Sequence, residues 1–184
     1  DVIDVTQMVR AATRARTVYP AARKRLWSTE FAWFTNPPNK STGDPPELAA
    51  TRTLTALHEL WSAGVSHVTW FAISDDAPAL IQGGGFYYAD GNPKPTRDAL
   101  RFPFFASQRR HTAYVWGSAP RDAASLVTIQ RRTRRGYRSV LKLRPRADGL
   151  FSVRFRVSNS RRGSYRALQP GAGSLTMRAA PFVD

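Results

Sequence analysis

Phe151-Ser-Val-Arg-Phe-Arg-Val157 alternates without a break, apolar at odd positions and polar or cationic at even ones. That two-residue period is the signature of a strand with one buried face, and it turns Arg154 and Arg156 to water. Shorter runs of similar character occupy 112–116, 125–130, 137–143, 164–168 and 174–178, with Gly, Pro, Asp and Asn between them. Six strands at roughly 8–12-residue spacing predict a β-sandwich-like domain for the last part of the chain.

The pattern in the first hundred residues is different. Asp4 and Gln7 bracket an N-terminal cap, and Met8, Val9, Ala11, Ala12 and Ala15 follow at helical spacing, which predicts a helix over 5–18 ended by Tyr19-Pro20. Arg25-Leu-Trp-Ser-Thr-Glu-Phe-Ala-Trp33 mixes aromatic, β-branched and apolar residues as a strand buried on both faces does. Asp44-Pro-Pro-Glu47 combines a cap, prolines suited to a first turn and a carboxylate for the helix dipole. Ala50, Leu54, Leu57 and Trp61 then mark one buried helical face up to Ser62, and Gly64 supplies a stop. Val65–Ile73 reads as a second buried strand. Strand, long amphipathic helix and strand in that order predict a right-handed crossover between parallel strands. A polar loop, a glycine-rich stretch and a short helix over 96–101 complete the segment.

Charge reinforces the division. Residues 1–106 hold eleven basic and ten acidic side chains, whereas 107–184 hold seventeen and three. Two domains are therefore expected, 1–106 and 107–184, with the break where a proline-punctuated aromatic stretch meets Arg109-Arg110. Of the 28 cations all but four are Arg, a bias that genome composition alone produces, and most of the late arginines fall on the outward positions of alternating strands. The absence of cysteine excludes a disulfide framework and Cys-ligated metal. No apolar run approaches the roughly 18 residues of a membrane span. The opening Asp-Val-Ile-Asp is neither Met nor a signal core, so an upstream segment is expected to precede it.

Candidate chemistry is sparse. His58, His67 and His111 have no ligand spacing, no metal or other cofactor is expected, and His58 sits beside the helix's buried face. The run Gly83-Gly-Gly85 lacks the strand before and the helix after that phosphate-cradling loops require. Arg131, Arg132, Arg134 and Arg135 could touch an acidic polymer, although a solvated β-turn explains them more simply. Glu30 is the anomaly. A carboxylate inside a buried parallel strand is penalised by several kcal/mol unless it is paired or used.

Leu26-Trp-Ser-Thr-Glu-Phe-Ala-Trp33 resembles the seventh strand of the TIM-barrel retaining glycosidases of clan A. The likeness continues through the amphipathic helix to Val68-Thr-Trp-Phe71, similar to the eighth strand, and to Gly85-Phe-Tyr-Tyr-Ala-Asp-Gly-Asn-Pro-Lys-Pro95, similar to the run that closes many such barrels. It covers residues 1 to about 105. The later domain is similar to the Ig-like or fibronectin-like modules appended to such enzymes. The resemblance implies an α/β fold, the last quarter of a (β/α)8 barrel, joined to an all-β sandwich-like domain. It implies Glu30 as nucleophile, Trp70 as a sugar platform, Trp33 on the rim, and Asp75 (with Asp76) in an active-site loop.

Such an enzyme takes a carbohydrate substrate, here a polysaccharide or glycoside, and is secreted; no specific nucleic acid or membrane span enters. Two of eight strands cannot close a barrel of about 250 residues, and the acid/base Glu of the family precedes residue 1. The chain is thus expected to be an inactive C-terminal fragment. Two rivals stand beside this reading: a non-catalytic carbohydrate- or polyanion-binding module, and a degenerate barrel kept as a scaffold.

Overall fold

The computed structural model describes residues 5–18, 25–75, 83–120 and 125–181. The chain folds as two compact units, Asp1–Arg97 and Asp98–Asp184. The break thus precedes the one expected after residue 106. The aromatic stretch Phe104–Arg109 is itself a strand, and all of it except Arg109 is buried. A fully buried strand shows no alternation, which is why the pattern did not mark it.

The first unit contains α1 (Val5–Val18), β1 (Leu26–Phe31), α2 (Pro46–Ser62) and β2 (Val65–Trp70); α3 (Pro95–Arg101) begins in it and runs into the second unit. β1 and β2 pair in parallel through the α2 crossover, with Leu26 opposite Val65 and Phe31 opposite Trp70. The described residues of this unit supply one parallel pair, not a closed cylinder. Its core gathers Phe31, Ala56, Leu60 and Val65, with Val9, Leu26, Trp33, Val68 and Trp70 packed around them.

Two local expectations are corrected. The buried face of α2 takes in the expected Ala50 and Leu54 together with Ala49, Thr53, Ala56 and Leu60, while the expected Leu57 and Trp61 are only half-buried. The first two turns of the expected line are buried as read; towards the C-terminal end the buried face swings to Ala56 and Leu60, and the buried Thr53 beside it is invisible to an apolar count. Asp44 does not cap α2; Pro45 holds that position, without a side-chain cap. The two prolines offer no amide hydrogen, and the Asp44 carboxylate instead accepts from Trp33 Nε1 at 2.6 Å and from Arg52 Nη1 at 2.6 and 2.7 Å. The expected cap at Asp4 and the stop at Tyr19-Pro20 lie outside the described residues.

Expected burial of β1 and β2 on both faces is corrected as well. Trp27 is 63% exposed, and Thr29, Glu30, Ser66, His67 and Thr69 are exposed with it. Helix α2 covers one face of the pair; on the other, Trp27 and His67 lie against each other with ring centroids 5.0 Å apart.

The second unit is predominantly β: β3 (Phe104–Arg109), β4 (Thr112–Ser118), β5 (Val127–Thr133), β6 (Gly136–Leu143), β7 (Leu150–Arg156), β8 (Ser164–Gln169), β9 (Ala172–Gly173) and β10 (Met177–Arg178). They form a three-stranded sheet, β3-β4-β7, and a five-stranded one, β10-β8-β5-β6 with β9 beside β8. All pairs of these strands are antiparallel, and one isolated parallel bridge joins Ser107 of β3 to Ala180. β7 follows its predicted alternation, with Phe151 and Val157 buried and Arg154 and Arg156 exposed. The sheets meet through Phe155 and the fully buried Tyr165, whose rings are 6.2 Å apart edge to face, and through Gln108. Gln108 Oε1 accepts from Tyr165 Oη at 2.8 Å and Gly163 N at 3.0 Å, while Nε2 donates to the carbonyls of Arg110 and Asn159, each at 2.8 Å. A buried amide with all four of these bonds specifies one register between the layers.

Candidate functional site

The site residues expected from the sequence cluster where β1 and β2 end and the loops after them begin. Glu30 is the penultimate residue of β1 and is exposed. Among the described residues, nothing forms a hydrogen bond or ion pair with its carboxylate, Arg25 included. The burial that made Glu30 anomalous in the sequence is therefore absent. Its neighbour Phe31 pairs with Trp70 across the sheet, and the carbonyl of Phe31 accepts from Phe71 N at 2.9 Å, so the parallel ladder continues just past the carboxylate.

Trp70 is half-buried and well tied. Its indole stacks on Phe86 with centroids 4.6 Å apart, Phe31 meets it edge-on at 5.4 Å, and Nε1 donates to the Gly84 carbonyl at 2.8 Å. Trp33, also half-buried, is fixed by Asp44 and packs on the core of the unit. Asp75, expected in a ligand-facing loop, is corrected: its carboxylate is inside. Oδ1 accepts from Gly85 N at 2.9 Å and Oδ2 lies 2.6 Å from Lys94 Nζ. Asp76 lies outside the described residues.

Lys94 was missed in the sequence. Its ammonium donates to Thr35 Oγ1 at 2.8 Å and to the Gly83 carbonyl at 2.9 Å in addition to Asp75, and sits 5.1 Å from the Tyr88 ring centroid. Burial holds it below the usual lysine range, with Asp75 opposing that shift. The run that closes the unit delivers it there. Asp90 accepts from the backbone and side chain of Asn92 at 2.9 and 2.8 Å, Gly91 takes φ +83°, and Lys94 N returns to the Phe86 carbonyl at 2.8 Å. Pro95 then opens α3, where a missing amide hydrogen costs nothing. The available signal was a lone Lys between two prolines in a chain that otherwise favours Arg.

The glycine run packs against this cluster. A Cβ on Gly83 would lie 2.6 Å from the Thr35 carbonyl oxygen, and one on Gly85 would lie 2.6 Å from the Ser74 carbonyl carbon. These glycines permit close backbone approach, in keeping with the rejection of a phosphate loop.

His58 lies half-buried on α2, its ring nitrogen 3.5 Å from Ser62 Oγ, and burial lowers its pKa to about 4. In the arginine cluster, Arg131 is engaged internally: Nη2 donates to the Arg161 carbonyl at 3.0 Å and the guanidinium sits 5.8 Å from the Tyr165 ring centroid. Arg132, Arg134 and Arg135 are exposed at the β5–β6 hairpin end. Among the described residues, no group of three His, Cys, Asp or Glu is placed to hold a metal ion, and no helix is long and apolar enough to cross a membrane.

No family model matches the chain, and no curated protein matches it. Among solved structures it is similar to a calcium-binding mutant of Bacteroides uniformis beta-glucuronidase 2, at 15% identity and a TM-score of 0.39. The match covers 97% of this chain and 24% of that one, so the chain spans about a quarter of that enzyme's length.

Proposed function

We propose that the chain is part of a retaining glycoside hydrolase, in which the first unit is the closing quarter of a (β/α)8 barrel and Glu30 is the nucleophile. The observation that supports it most is the placement of Glu30: an exposed carboxylate, unengaged among the described residues, at the C-terminal end of a strand in a parallel pair. Barrel enzymes gather their chemistry at that end of their strands. An attacking carboxylate must be aimed from a rigid element, and a strand end supplies one. The uncovered Trp27–His67 face is what two barrel strands present when their neighbours are absent.

In this reading, Glu30 attacks the anomeric carbon while a second carboxyl, about 5–5.5 Å away, protonates the leaving oxygen and then activates water. That second group comes from a strand outside these residues, so the 184-residue chain alone does not turn over substrate. Trp70 gives the ring surface that Phe86 leaves uncovered to the C–H face of a sugar, and Trp33 marks the rim. A polymeric substrate that cannot enter a cell places the enzyme outside it. The experiment is hydrolysis of aryl glycosides by the whole protein that carries this chain, with and without Glu30→Gln. Loss of activity by at least three orders of magnitude is expected, and full activity in the variant overturns the reading.

A further inference from the structure

The outer face of the five-stranded sheet plays no part in the catalytic reading, and its register fixes what it displays. Val127 and Ile129 of β5 are buried, so Thr128, Gln130 and Arg132 turn outward. Thr128 lies opposite Lys142 of β6 and Leu168 of β8; Gln130 lies opposite Ser139 and Arg166; Arg132 lies opposite Tyr137. Across β6, β8 and β5 this face carries Lys142, Arg166 and Arg132, and Arg178 of β10, opposite Ser164, adds a fourth cation at the sheet edge. Projected on β5, Lys142, Arg166 and Arg132 are two residues, about 6.8 Å, apart. Lys142 and Arg166 lie on the strands at its two sides, so the three zigzag across three strands, past a bulge in the β5–β6 register between Ile129 and Gln130.

The middle cation is held in place. Arg166 donates from Nε and Nη2 to Gln130 Oε1 at 3.0 and 2.9 Å, and its guanidinium lies 3.7 Å from the Tyr137 ring centroid. Tyr137 is itself fixed by a 2.7 Å bond between its hydroxyl and Thr176 Oγ1. Lys142 and Arg132 at the two ends are exposed. At the Lys142 end, Thr128, Gln130 and Ser139 line an open groove of about 640 Å³ together with Leu126 and Leu168. Across 107–184 the sequence has three acidic residues, and Asp148 is the one among the described residues; it pairs with Arg146 at 2.9 Å. Among the described residues, no carboxylate lines this face.

We propose that this cation ladder binds a linear acidic polysaccharide, its carboxylates meeting Lys142, Arg166 and Arg132 in turn and its hydroxyls meeting Thr128, Gln130 and Ser139. The groove favours a sugar polymer over a single-stranded nucleic acid. Its apolar lining is aliphatic, and one face of the Tyr137 ring is taken by Arg166, so the groove lacks the row of aromatic faces on which successive bases stack. Hydroxyl and amide side chains between the cations suit a hydroxyl-rich chain. The proposal stands whether or not Glu30 is a nucleophile.

The test is binding of the full chain to polygalacturonate, followed as salt is raised, beside neutral dextran and oligo-dT of matched charge. Lys142→Ala with Arg132→Ala is compared with Arg134→Ala with Arg135→Ala, which removes the same charge from the hairpin turn. The expected result is binding that weakens with salt, at least tenfold weaker in the ladder pair and less than twofold weaker in the turn pair. Equal losses in the two pairs, equal binding to dextran, or tighter binding to oligo-dT overturns it. Should the ladder pair not fold, amide shifts in the unaltered chain on titration with oligogalacturonate decide: shifts at 128–132, 139–142 and 166 support the ladder, and shifts confined to 133–136 contradict it.

Discussion

Lys94 and Asp75 meet at 2.6 Å with their side chains 0% and 2% exposed, a buried ion pair that ties the end of the first unit to the loop after β2. Desolvation of two such charges is offset only because other partners share the load: Thr35 and Gly83 for the ammonium, Gly85 for the carboxylate.

Removing either charge alone leaves the other buried. Lys94→Met strands the Asp75 carboxylate with one backbone donor, and is expected to destabilise the first unit by about 3–5 kcal/mol. Asp75→Asn leaves the ammonium two neutral acceptors and should cost less. Urea unfolding of the two variants checks the order; equal stability to the parent in Lys94→Met refutes it.

Backbone crowding gives a second prediction. A side chain on Gly85 collides with the backbone of Ser74, whereas one on Gly91 meets nothing within 4 Å and suffers only its positive φ. Gly85→Ala should therefore destabilise more than Gly91→Ala, whose left-handed backbone costs an alanine on the order of 1–2 kcal/mol. Thermal unfolding of the two variants ranks them.

Stability should also fall in acid through His58. Its folded pKa of about 4 lies below the ordinary histidine value of 6.5, so the unfolded chain takes up the proton first. The stability associated with the neutral ring is complete above pH 6.5 and declines as pH drops towards 4, by at most about 3 kcal/mol. His58→Phe should flatten that part of a pH–stability curve, and an unchanged slope contradicts the assignment.

In the second unit, Gln108→Leu would orphan the hydroxyl of Tyr165, the amide of Gly163 and two carbonyls. The Tyr165 hydroxyl is buried, whereas Arg110 and Asn159 are exposed and water can reach their carbonyls. One buried unsatisfied group costs roughly 1–3 kcal/mol, so a loss of at least about 1 kcal/mol is expected. Gln108→Glu keeps both acceptor contacts but sets a buried carboxylate oxygen against two carbonyls, and should lose at least as much. Guanidinium unfolding of the two proteins checks this.

How far the sequence could be read depended on how each element meets its surroundings. β7 was legible because one face is wet, so Phe151 to Val157 alternate; β3 was not, because nearly all of Phe104–Arg109 is dry. The line of α2 was legible at Ala50 and Leu54 but not at Ala56 and Leu60, and Thr53, polar yet buried, gave no apolar signal. Glu30 was found because its charge stood out among apolar neighbours, but the premise that both faces of its strand are covered failed, since a two-stranded sheet has one helix to cover it. Lys94 escaped notice because sequence gives no sign that a cation folds inward until its partner, Asp75, nineteen residues earlier, is brought beside it.

The assignment of Glu30 is tested most directly by trapping. The whole protein carrying this chain is incubated with an activated 2-deoxy-2-fluoro glycoside, digested, and mapped by mass spectrometry. A glycosyl ester on Glu30, absent after Glu30→Gln, is the predicted result; an ester on a different carboxylate, with Glu30 unmodified, contradicts the account.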